Sequence, residues 1–172
     1  MEEKIKKLLE KVKKVTQEGK IDLSSDEDLS VAVMNLLSLE EHFFFTGAKT
    51  KKTKYFDLLN EIREMRKELM KRLVKKTEGE SWCILKHLLA ASMRLIEVGT
   101  KELNKGNKKE AEDLFSKAYQ LYSLFWGINL NIVKIGEIKE IEDKKLNVHD
   151  KEGNVFSKLG AIVQKIVDCC KE

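Results

Sequence analysis

Apolar residues recur at three- and four-residue steps along most of this chain, which is the spacing of one face of an α-helix. The segment over 80–103 is apolar on most of its circumference. One of its stripes consists of Leu85, Leu88, Leu89, Met93, Ile96 and Leu103, and a second of Ile84, Ala91, Leu95 and Val98. Because a helix that is apolar nearly all round must be enclosed by other helices, we expect this segment at the centre of the fold.

Five further segments carry narrower apolar stripes and are predicted to pack as helices on the central one. They lie over 5–15, 29–45, 55–73, 111–126 and 159–167. Capping patterns at Ser24, Thr77 and Asn107 indicate where the second, central and fifth helices begin. The second helix is expected to stop near Gly47, followed by a short basic connection over 49–54.

The stretch over 128–153 fits two structures. Isoleucines at three-residue steps, up to Ile141, would continue a helix, whereas the alternation over 146–148 before Gly153 suits a small hairpin. Proline, which interrupts helix interiors, is absent from all 172 residues. The sequence therefore predicts an all-α fold, an antiparallel up-and-down bundle of five or six helices. We expect one domain over 1–172, with room for an irregular or hairpin insert near 137–153.

Charge and cysteine content exclude several classes of protein. The 33 basic and 29 acidic residues are interspersed along the chain, for a net charge of +4, so nucleic acid is an unlikely partner. No apolar run approaches the roughly 20 residues of a membrane span. Cys83, Cys169 and Cys170 form neither a disulfide framework nor a zinc motif. These features predict a cytoplasmic protein with no membrane contact.

Motifs of common enzymes are also missing. The sequence contains no glycine-rich phosphate loop, no G-x-S-x-G and no H-E-x-x-H. Their absence argues against a nucleotide-dependent enzyme and a serine hydrolase. An enzymatic role is left unassigned and is not favoured.

The candidate chemistry centres on Glu40, an acidic residue inside the apolar stripe of the second helix. Burial of a carboxylate is costly unless something compensates its charge. Folding the chain about a connection near Thr50 brings Glu40 and His42 level with residues 58–61. A second fold near Thr77 brings Glu61 level with 94–97, so carboxylates and a histidine are expected in one layer of the bundle.

Such a layer has the ligand chemistry of a ferrous, manganous or zinc site. The predicted ligands are Glu40, Glu41, His42, Glu61 and Glu97, with Glu41 as a spare carboxylate, and the metal is predicted to be iron or zinc. Di-iron bundles use Glu-x-x-His pairs. Neither His42 nor His87 has a glutamate three residues before it, so a metal site here would be mononuclear or adventitious.

Alternatives without a metal stay open. A salt bridge between Glu40 and Arg94 would satisfy the buried charge on its own. His87 and Cys83, one helical turn apart, would at most form a separate minor site. In the second functional hypothesis the chain is an interaction module that binds another copy or another protein. Its apolar strip would consist of Phe125, Trp126 and the isoleucines over 135–141.

Overall fold

A computed structural model describes residues 24–74 and 80–133, together with Glu10. The described residues contain four α-helices, α1 (Ser24–Thr50), α2 (Lys54–Leu73), α3 (Glu80–Asn104) and α4 (Lys108–Asn129), and no strand. The all-α prediction is confirmed for this part of the chain. The predicted helices over 5–15 and 159–167, and the insert near 137–153, lie outside the described residues. A total of five or six helices therefore stays a prediction.

The four helices form two antiparallel hairpins, α1 with α2 and α3 with α4. Residues 51–53 connect the first pair and residues 105–107 the second. Connections this short make consecutive helices antiparallel neighbours. The predicted turn near Gly106 is confirmed, and the segment predicted as the central helix over 80–103 corresponds to α3. The capping pattern at Thr77 lies outside the described residues.

Each hairpin contains a glycine at which an aromatic ring packs directly on the backbone of the facing helix. A Cβ atom on Gly47 would lie 2.7 Å from Cε1 of Phe56, and one on Gly99 would lie 2.6 Å from Cε1 of Phe115. A side chain larger than hydrogen would displace either ring. Gly47 therefore serves a helix contact, and the expectation that it ends its helix is wrong, because α1 continues to Thr50.

The core lies where the two hairpins converge, around the end of α2, the start of α3 and the end of α4. Its most deeply buried apolar side chains are Val33, Met70, Leu73, Val74, Leu85, Leu89, Phe125, Trp126 and Ile132. Burying a large apolar side chain contributes about 1.5–3 kcal/mol, so this cluster is the main force that joins the hairpins.

Two hydrogen bonds accompany the core contact between hairpins. The Asn129 amide donates to the carbonyl oxygen of Leu73 at 3.1 Å. The hydroxyls of Ser30 and Tyr122 lie 2.7 Å apart, and Ser30 also donates to the carbonyl oxygen of Glu27. These bonds satisfy polar groups that would otherwise be costly to bury.

Candidate functional site

Glu40, the acidic residue that the sequence places on an apolar stripe, lies at the interface of α1 and α2 and is only 8% exposed. The guanidinium of the equally buried Arg66 donates to both carboxylate oxygens, from Nε at 2.7 Å and from Nη2 at 3.2 Å. Arg63, at the edge of the site, donates a third hydrogen bond to the Glu40 carboxylate, at 3.2 Å. The buried acid is confirmed, and its charge is balanced by two arginines of α2.

Arg94, the partner expected for Glu40, instead pairs with two other carboxylates. It donates to Glu41 on α1 and to Glu97 one turn along α3. The predicted pairing of Glu40 with Arg94 is therefore wrong. Because Arg94 and Glu41 are both about half exposed, this link between the hairpins contributes at most about 1 kcal/mol.

The structure does not bring the five predicted metal ligands together. Glu40 and Glu41 are held by different arginines, while His42 and Glu61 are exposed. Among residues 24–74 and 80–133, which include all five, no group of three or more His, Cys, Asp or Glu side chains is placed to hold a metal ion. Binding of iron or zinc stays a prediction from the sequence, without a preformed ligand cluster to support it.

The minor site proposed for Cys83 and His87 falls on the surface of α3. Both side chains are exposed, and Cys83 is a free thiol. One cysteine and one histidine on a single helix are too few to hold a metal ion, since structural zinc sites use four protein ligands.

The aromatic strip predicted as an interaction surface belongs to the core. Phe125 and Trp126 are completely buried, and their rings contact each other at 5.2 Å between centroids. The prediction that they face a partner is wrong. The isoleucines over 135–141 lie outside the described residues.

A different set of aromatic side chains is exposed at the tip of the first hairpin. Phe44 and Phe45, near the end of α1, are 51% and 59% exposed, and Phe56 of α2 is also exposed. The rings of Phe44 and Phe45 meet edge to face at 5.3 Å. Phe56 packs on Gly47, one turn beyond Phe44. These three phenylalanines are called the Phe patch below.

Four lysines border the Phe patch. Lys49, Lys51, Lys52 and Lys54 occupy the last turn of α1, the connection and the first residue of α2, and all are exposed. Lys49 follows Phe45 by four residues, the separation of neighbours on a helix surface. The tip of the hairpin thus combines an apolar centre with a positively charged rim.

A shallow apolar groove of about 280 Å³ lies on the other side of α1, between that helix and the second hairpin. The residues that line it include Glu27, Val31, Met34, Ile96, Phe115 and Tyr119. Its surface is mostly apolar, and Val31, Ile96 and Tyr119 remain exposed within it.

The sequence contains a signal for the Phe patch. Phe43, Phe44 and Phe45 are consecutive, and consecutive residues of an α-helix point about 100° apart. Three adjacent aromatic side chains therefore cannot all face one core. Phe43 stacks on Tyr55 of α2, and the two that follow are left towards solvent.

Comparisons with models of known protein families, with curated proteins and with solved structures give no match for this chain. Within the described part of the chain, no helix combines the length and apolar character that crossing a bilayer requires.

Proposed function

We propose that this chain is a helical interaction module that binds a protein partner through the Phe patch. The observation that carries the proposal is the exposure of three neighbouring phenylalanines beside four exposed lysines. Contiguous exposed apolar patches rimmed by polar residues mark interaction sites in soluble proteins. The role requires neither a cofactor nor catalytic chemistry.

The energetics of the patch suit an anchor in an interface. Burying a phenylalanine that was exposed contributes up to about 1.5–3 kcal/mol, and aromatic side chains lose little conformational entropy when they are fixed. Binding hot spots consist of a few such residues surrounded by contacts that exclude water. Phe44 and Phe45 are already in contact, which reduces the ordering needed on binding.

The lysine rim indicates the chemistry of the partner. An apolar surface edged by aspartate or glutamate would place opposite charges against Lys49, Lys51, Lys52 and Lys54, which raises the association rate at low salt. A second copy docked symmetrically on the same patch would bring eight lysines together, four from each copy. We therefore favour an acidic protein surface over self-association.

Selection of peptides from a random library displayed on phage tests the proposal. Wild-type protein is expected to enrich helical peptides with apolar residues at three- and four-residue steps and acidic residues beside them. The Phe44→Ser/Phe45→Ser variant should lose these peptides, and their binding should weaken as salt rises.

Met65→Ser is the matched control, because Met65 is as exposed as Phe44 but lies on α2 outside the patch. It should retain the selected peptides. Equal enrichment by the wild type and the double phenylalanine variant would refute the proposal. Sedimentation at two concentrations shows whether the chain self-associates, which is the rival interpretation of the same surface.

A further inference from the structure

The second hairpin has an apolar face that is buried at one end and open at the other. On α3, Leu85 and Leu89 are buried in the core. Ile96 and Leu103 continue the same helical face, at separations of seven residues from Leu89 and from Ile96, yet they are 40% and 46% exposed. The described helices therefore cover only the first half of this face.

The same change occurs along α4. Trp126 and Ser123 are completely buried, whereas Tyr119, which precedes them on the same face, is 45% exposed. Tyr119 lies near Ile96 because both line the groove, and α1 borders them with Val31. The uncovered halves of α3 and α4 and the start of α1 thus form one continuous apolar surface.

We propose that residues 5–15 of this chain cover this groove. Ile5, Leu8, Leu9, Val12 and Val15 supply an apolar stripe at helical spacing. As a helix, the stripe would span about 15 Å, which is long enough to cover the open face of about 10 Å from Ile96 to Leu103. The proposal is independent of the Phe patch, which lies at the other end of α1.

Chain connectivity favours this segment. The structure describes α1 from Ser24, only three residues before Glu27, which lines the groove. In the sequence, only residues 16–23 separate the stripe from the start of α1 beside the groove. Glu10, on the polar side of the stripe, is helical and exposed, as expected if the opposite, apolar side faces the protein.

The C-terminal segment is less well placed to reach the groove. The described chain continues to Val133, which is buried with the core cluster. From Tyr119 to the end of α4 at Asn129 is about 15 Å along the helix, in the direction away from the groove. The segment after Val133 starts from that far end, whereas the segment before Ser24 starts beside the groove.

Methyl NMR spectroscopy of the full chain tests the proposal directly. The δ1-methyl signal of Ile96, assigned with Ile96→Val, should show NOE cross-peaks to methyl groups of Leu9 and Val12. In a mixture of differently labelled copies these cross-peaks should be absent between copies. Cross-peaks only between copies would assign the groove to a second copy and overturn the proposal, as would no cross-peak from Ile96 to the segment.

Two matched variants complete the test. Leu9→Gln/Val12→Gln changes the apolar side of the segment and should abolish the cross-peaks and shift the Ile96 methyl signal. Glu10→Gln/Lys14→Gln introduces the same residues on the polar side and should preserve both. An unchanged indole signal of the buried Trp126 shows that the core is still folded. Equal spectra of Ile96 in the two variants would refute the proposal.

Discussion

Arg66→Met is the substitution for which the structure makes the sharpest prediction. Arg66 and Glu40 are both almost fully buried, and two hydrogen bonds join them. Methionine has an apolar side chain of about the same length as that of arginine but carries no charge. Glu40 is then left with Arg63 alone, whose side chain is half exposed and which approaches one carboxylate oxygen at 3.2 Å.

The expected loss of stability follows from the burial of the remaining carboxylate. Breaking a buried ion pair by removing one partner costs about 3–5 kcal/mol. Because Arg63 still compensates part of the charge, we expect a value near the lower end, about 3 kcal/mol. For a chain of this size that corresponds to a fall in Tm of about 6–12 °C. Arg63→Met, at the exposed edge, should cost no more than about 1 kcal/mol.

Urea unfolding, followed by circular dichroism under reducing conditions, measures these differences as changes in midpoint at constant slope. The double variant Glu40→Leu/Arg66→Met is compared with Arg66→Met. With both charges removed and the volume filled by apolar groups, it should be close to the wild type and more stable than Arg66→Met. Equal losses for Arg66→Met and Arg63→Met, both below 1 kcal/mol, would refute the reasoning.

Three further predictions concern other parts of the chain. Gly99→Ala forces a methyl group against the aromatic ring that it faces on α4, so the free energy of unfolding should fall by about 1–3 kcal/mol in urea. The pKa of Glu102 is lowered by hydrogen bonds from Asn107 and a neighbouring lysine, and Asn107→Ala should raise it in an NMR titration. Since that pKa is depressed in the folded chain, its stabilising effect is present at neutral pH and is lost as the pH falls through it. The metal hypothesis predicts that untagged protein binds Fe²⁺ or Zn²⁺ and that Glu40→Ala/His42→Ala does not; equal uptake by both would end it.

Helical periodicity predicted the described helices well, because each buries a stripe that repeats every three or four residues. The turn at Gly106 and the start of α4 after Asn107 also came from local signals. Neither depends on tertiary contacts. The enclosure of α3 was predicted less well, since its apolar face is covered only as far as Ser92 in the described part of the chain.

The residues of α2 that face Glu40 were predicted wrongly, because the connection between α1 and α2 lies later in the chain than expected. A helix that ended near Gly47 would have its connection to α2 centred near Thr50. In the structure, residues 51–53 form that connection. Moving the centre of a hairpin by two residues shifts the facing helix by four, about one helical turn. Glu40 then meets Arg63 and Arg66 rather than residues 58–61. A sequence does not distinguish a glycine that ends a helix from one that receives an aromatic ring.

The same geometry links the Phe patch to the Glu40–Arg66 ion pair, because Phe44 follows Glu40 by four residues, one turn along α1. Apolar stripes alone allow α1 and α2 to slip past each other by a turn, because the stripes repeat at that interval. A slip would break both hydrogen bonds between Glu40 and Arg66 and leave the buried guanidinium of Arg66 without its carboxylate, a cost that favours one alignment. That alignment also sets Phe56 on Gly47, beside Phe44.

The stability of the fold and the alignment of α1 against α2 should therefore respond differently to removal of the ion pair. Glu40→Leu/Arg66→Met retains a filled interface but loses the groups that penalise a slip, a role that buried polar residues have in other helical assemblies. We expect this variant to unfold at a urea concentration close to that of the wild type, yet to bind the peptides selected by the Phe patch more weakly. Full retention of both properties would show that the contact of Phe56 with Gly47 fixes the alignment without the ion pair.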